Sequence, residues 1–97
     1  MMDKKAYQER MEAQLQEWKA DLDKLDAQAK KKSAEGKISY AKKRKELQDK
    51  MDEVRNDLSS LKASGDQKWD VIKEHLEKGK NDFKKNYNDL VAALKDS

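Results

Sequence analysis

Apolar residues recur along this chain at helical spacing. They run from Tyr7 through Met11, Leu15, Trp18, Leu22 and Leu25 to Ala29. From Leu15 the steps alternate three and four, which is the a/d rhythm of a coiled-coil seam. Leu15, Leu22 and Ala29 share one position and Trp18 and Leu25 the other. Residues two apart are mostly charged, so the alternation of a half-buried strand is missing. The pattern predicts a first helix over 4–32, with Asp3 as its N-cap.

Continued in the same register, the stripe meets Lys32 and Gly36 and stops. It resumes at Tyr40, Leu47, Val54 and Leu61, with Arg44, Met51 and Leu58 beside them, one residue out of phase. This predicts a second helix over 38–63. Gly65 would close it at C′, and the next N-cap is Asp66, or Ser64 in a capping box with Gln67. A third helix over 66–95 follows, where Trp69, Leu76, Phe83 and Leu90 repeat every seven residues. Ile72 joins them, and Tyr87 and Leu94 flank the row. Gly79 and Asn86 take the seam's other position, Gly79 as a small seam residue and Asn86 as a solvated edge.

Two architectures fit this layout. A turn at 33–38, with Gly36 ending the first helix and Ser39 capping the second, gives an all-α antiparallel helical coiled coil or three-helix bundle, one domain over 1–97. A stutter absorbed into a continuous helix instead gives one long helix over 4–63, with 66–95 folded back on it and the chain dimerising. The turn is favoured. The stretch 30–45 has no apolar stripe, and a glycine inside a helix costs ~1 kcal/mol relative to alanine. It also has almost none of the i,i+4 opposite-charge pairs found elsewhere at Asp26–Lys30, Glu46–Lys50 and Glu74–Lys78.

Composition supports helices over disorder. Of 97 residues, 44% are charged and 35% hydrophobic, with no proline; joined to a 3.5-residue period, this is the make-up of long helices. The apolar supply is thin for a chain of this size, so self-association is expected, a homodimer first. The absence of cysteine removes disulfides and thiol chemistry. The start, MMDKKAYQERM, has no apolar leader core, and no run approaches the ~18 apolar residues of a membrane span. A cytoplasmic protein is expected.

The net charge of +3 is unevenly spread: −2 over 1–29, +7 over 30–45, −2 over 46–65 and zero over 66–97. Lys30, Lys31, Lys32, Lys42, Lys43, Arg44 and Lys45 are therefore candidate contacts for an anionic partner, either nucleic acid or acidic protein. A solvated charged surface is the favoured reading of the same residues. Reversible membrane-surface binding through Trp18, Trp69 and Phe83 is disfavoured, because narrow a/d stripes suit helix partners better than lipid.

No catalytic, cofactor-binding or metal-binding set emerges, and a nonenzymatic role is expected. His75 stands alone, with no second histidine or cysteine to complete a transition-metal site. Acid pairs such as Asp21–Asp23 and Asp52–Glu53 lie on polar faces. Glycines at 36, 65 and 79 are too scattered for a phosphate loop. The candidate residues are a packing seam: Leu15, Trp18, Leu22 and Leu25 in the first helix, Leu47, Met51, Val54, Leu58 and Leu61 in the second, and Trp69, Ile72, Leu76, Phe83 and Leu90 in the third.

The stretches MEAQLQEWKADLDKLDAQA and ISYAKKRKELQDKMDEVRNDLSSLKASGDQKWDVIKEHLEKG resemble a small bacterial coiled-coil family described as stress-response proteins of undefined mechanism. Glu17 with Trp18, Ile38 with Tyr40, and Ser64, Gly65 and Asp66 followed by Trp69 carry the resemblance. Such relatives tend to have an alanine- and charge-rich joint, from which Gly36, Ser33 and Ser39 depart. The resemblance implies a cytoplasmic, nonenzymatic helical protein and supplies no ligand residues.

Overall fold

In the computed structural model, which describes residues 3–64 and 69–96, three helices pack against one another. They are α1 (Lys4–Ala29), α2 (Ala34–Ala63) and α3 (Trp69–Asp96). The chain is an all-α three-helix bundle, elongated to 50 × 20 × 17 Å. α1 and α3 run in one direction and α2 in the other. At one end Tyr7 meets Trp69, and the Lys4 ammonium donates to the Ser64 carbonyl at the end of α2. At the other end Asp26 of α1 holds Arg44 of α2.

The first helix starts as its sequence predicts, with Asp3 Oδ1 accepting from the Ala6 amide at 2.7 Å. The first turn of the chain differs from the expected one. The bundle turns at 30–33, not at 33–38, and α1 ends at Ala29. Lys31 N donates to Gln28 O at 3.2 Å and Lys32 N to Ala29 O at 3.1 Å. These i to i+3 bonds close the helix end without a left-handed residue, and none of the described residues has one. Ser33, extended at φ −63° and ψ 167°, is the N-cap of α2, and its Oγ accepts from Gly36 N at 3.2 Å.

Gly36 therefore lies in the first turn of α2 and is not the C′ residue of α1. Ser39 is an exposed residue inside the helix and caps nothing. The physical reason is that a serine cap satisfies an orphan amide and leaves Glu35 in the first turn, where the helix dipole favours it. A continuous helix over 4–63 does not form. The second break falls after Ala63, with Ser64 Oγ donating to Leu61 O at 2.9 Å. α3 begins at Trp69, and the expected roles of Gly65, Asp66 and Gln67 lie outside the described residues.

One continuous core runs the length of the bundle. Leu22, Leu47, Val54, Leu61, Leu76 and Leu90 are fully enclosed, and Trp18 stacks on Phe83 with ring centroids 3.9 Å apart and planes 13° off parallel. α2 and α3 make the closest pair because Gly79 faces Val54. A Cβ added at Gly79 would stand only 2.8 Å from Val54 Cγ2. α1 lies further out, held off by Tyr7, Met11 and Trp18.

Candidate functional site

The seam residues expected from periodicity all face the common core. Leu15, Trp18, Leu22 and Leu25 are buried on α1, and Leu47, Met51, Val54, Leu58 and Leu61 on α2. Leu76, Phe83 and Leu90 are buried on α3, while Trp69 and Ile72 are partly buried and pack against the same cluster. Tyr7, Met11, Ala29, Tyr40 and Leu94 are equally enclosed. These five belong to the same stripes: each extends an existing three-, four- or seven-residue step by one more residue.

The basic segment divides into two groups. Lys30, Lys31, Lys42 and Lys45 are exposed, and Lys32 and Lys43 are half-buried. Arg44 is committed inward. Its Nε donates to Asp26 Oδ1 at 3.0 Å and one terminal nitrogen to Gln48 Oε1 at 3.0 Å. Gln48 passes the chain on to Asp52 at 3.0 Å, and Asp52 pairs with Arg55 at 3.6 Å. The Tyr40 hydroxyl also donates to Asp26. Burial, and then the Asp26 carboxylate, push the Tyr40 phenol well above its usual range.

Asp26 thus serves Tyr40 and Arg44 across the α1–α2 joint, rather than Lys30 on its own helix as the i,i+4 spacing predicted. Side-chain spacing along one helix could not reveal that competition, which arises only when α2 folds back. Arg44 consequently leaves the set available to a partner. A second ion pair, Lys62 to Glu12, ties the two helices near their other ends.

The α1–α3 face carries its own polar contact. The Tyr7 hydroxyl donates to Glu77 Oε1 at 2.9 Å, and the Lys73 ammonium lies over the Tyr7 and Trp69 rings at 5.5 and 5.3 Å. Burial, followed by the bonded Glu77 carboxylate, raises the Tyr7 phenol, and burial with the Asp21 charge raises that of Tyr87. At the joint end, Leu25, Val91 and Leu94 floor an open groove of about 390 Å³, rimmed by Lys31, Lys32 and Lys95.

Among the described residues, two large apolar side chains remain outside. Ile38 is 61% exposed on α2 and Val71 58% exposed on α3. His75 is exposed, and among the described residues no three His, Cys, Asp or Glu side chains converge as metal ligands would. No helix among those residues is long and apolar enough to cross a membrane. No protein-family model, curated protein or solved structure matches the chain.

Proposed function

We propose that this protein is a nonenzymatic helical interaction protein that acts by contact through its charged surface and associates with further copies of itself. The observation that supports this reading is the division of the side chains. The apolar seam is consumed by the chain's own core, so the outer faces of the described residues offer partners charge and two isolated large apolar side chains. The cytoplasmic, stress-associated setting belongs to the same proposal and rests on the resemblance of the sequence stretches quoted above. Sedimentation equilibrium across a wide concentration range tests it: the mass should rise above that of one chain. A constant single-chain mass at millimolar protein refutes self-association.

The exposure of Lys30, Lys31, Lys42 and Lys45 supports a second reading, a contact with anionic partners through 30–45. Fluorescence anisotropy with a labelled oligonucleotide should then show binding that falls steeply with salt and is lost on neutralising Lys42, Lys43 and Lys45. No binding at low salt removes it. Membrane binding is not proposed, because the Trp18 and Phe83 rings that lipid would receive are stacked inside the bundle.

A further inference from the structure

Little holds the chain bent between α1 and α2. Lys30 is still right-handed helical at φ −61° and ψ −22°, and Lys31 and Lys32 donate to carbonyls three residues back. Ser33 has the φ of a helix, −63°, and departs from it through ψ, 167° against about −42°. None of the described residues is left-handed, and the chain has no proline. Bringing this hinge into the helical region joins α1 to α2. The Ala34 and Glu35 amides, which start α2 without helical acceptors, then bond to the Lys30 and Lys31 carbonyls.

Both seams survive that change. Ala29 and Tyr40, the core residues on either side of the hinge, are eleven positions apart, about three helical turns. A joined helix therefore keeps the two seams on one face. The ion pairs Asp26–Arg44 and Glu12–Lys62 are centred in sequence on Glu35 and Lys37, so two joined helices that remake these pairs between copies cross at Gly36. In the single chain a Cβ at Gly36 would meet nothing within 4 Å beyond the backbone of its own helix. The bare backbone has no use there, whereas a crossing of two helices uses it.

We infer that two copies of the chain exchange α1: the hinge straightens, and each α1 packs on the α2 and α3 of its partner. The surface that receives α1 is the one its own α1 covers in the single chain, which fixes the occupant as a second copy. The Trp18–Phe83 stack, the Tyr7–Glu77 bond and the Lys62–Glu12 pair are all remade between copies, so no core contact is lost. The cost is electrostatic, because the two 30–45 segments, each carrying +7, come alongside one another. Salt therefore governs the exchange. This inference rests on the self-association reading and gives its mechanism.

The test uses the full chain carrying E12C/K62C, two half-exposed positions that become its only thiols, with the fold checked by circular dichroism. The protein is equilibrated warm at millimolar concentration and separated by gel filtration. Each fraction is diluted, treated with a short bismaleimide and run on a denaturing gel. In the exchanged dimer the positions 12 and 62 that meet belong to different chains. The dimer fraction should therefore give a two-chain product and the single-chain fraction a one-chain product. Ser33→Ala removes the cap at both hinges and should raise the association constant roughly tenfold or more. Two glycines inserted after Lys32 lengthen the turn and interrupt the joined helix, and should lower it roughly tenfold or more. Raising salt from about 50 to about 500 mM should strengthen the dimer.

A one-chain product from the dimer fraction overturns the exchange while leaving self-association standing. So does a dimer that salt weakens, or one that ignores both hinge variants. An unaltered protein that stays a single chain at every concentration overturns both.

Discussion

Gly79 is where helix propensity and packing oppose each other most sharply, and the sign of their difference is measurable. Replacing a glycine in a helix interior by alanine ordinarily stabilises by ~1 kcal/mol. Here the new Cβ would stand 2.8 Å from Val54 Cγ2, well inside the ~3.5–4.0 Å of ordinary carbon contact. Val54 is fully buried, and a β-branched side chain on a helix has essentially one rotamer, so it has no free direction in which to yield. Overpacking of this kind costs ~1–3 kcal/mol. Gly79→Ala should therefore destabilise, by up to about 2 kcal/mol.

Val54→Ala deletes two buried methyl groups and should cost about 2 kcal/mol, from ~0.5–1.5 for each. In that background the obstruction is gone, and Gly79→Ala should stabilise by about 1 kcal/mol. The same substitution thus changes sign between backgrounds, a coupling of ~1–3 kcal/mol. Urea melts followed by circular dichroism at low protein concentration resolve this, and in thermal melts each kcal/mol moves the midpoint by ~4–8 °C for a domain of this size. Equal stabilisation by Gly79→Ala in both backgrounds would refute the close α2–α3 approach.

Three further outcomes follow from the same structure. Ser33→Ala should cost ~1 kcal/mol by removing the α2 cap, while Ser39→Ala should change the urea midpoint little; the reverse order would put the turn back at 33–38. Leu22→Asp places an unpaired carboxylate at a fully enclosed position and should abolish cooperative melting, so a native melt would contradict the seam. Tyr7 and Tyr40 have phenols raised by burial and by carboxylate partners. Above pH ~10 the unfolded chain loses those protons first, so stability is intact below that pH and falls as pH rises toward the folded-state values. The alkaline slope of the urea midpoint should be shallower in a Tyr7→Phe/Tyr40→Phe variant, and an unchanged slope would assign it to other groups.

Periodicity made most of the fold legible because each seam residue reports its own face. Trp18, Leu22, Leu47, Val54 and Phe83 needed no knowledge of their partners to be placed inward. The turn was harder because Gly36 and Ser33 compete as signals. Glycine is permissive, but that matters only where a left-handed residue is required, and the lysine turn at 30–32 closes without one. Arg44 was opaque for a different reason. It occupies a seam position by spacing, which turns it inward, but its partner Asp26 is eighteen residues away, so its neutralisation is not written in the local pattern. Ile38 and Val71 lie off their helices' seams, and only the assembled bundle reveals that, among the described residues, the two most exposed large apolar side chains occupy opposite ends.

The lysine-rich end has a role even when nothing is bound there. α1 and α3 both finish at that end and present carbonyls with partial negative charge, and only α2 starts there. Lys30, Lys31 and Lys95 are in place to offset those two helix ends. At the opposite end, Asp3 and Asp70 face two helix starts, and Lys4 reaches the last carbonyls of α2. Part of the charge asymmetry therefore stabilises the bundle itself, and the two roles are separable by position. Lys31→Gln should cost ~0.3–1 kcal/mol in a dilute, low-salt urea melt, an effect that salt erases. Lys42→Gln and Lys45→Gln, well beyond the first turn of α2, should leave that melt unchanged and alter only association. Equal destabilisation by all three substitutions would mean that the whole basic segment supports the fold, leaving no charge specific to a partner.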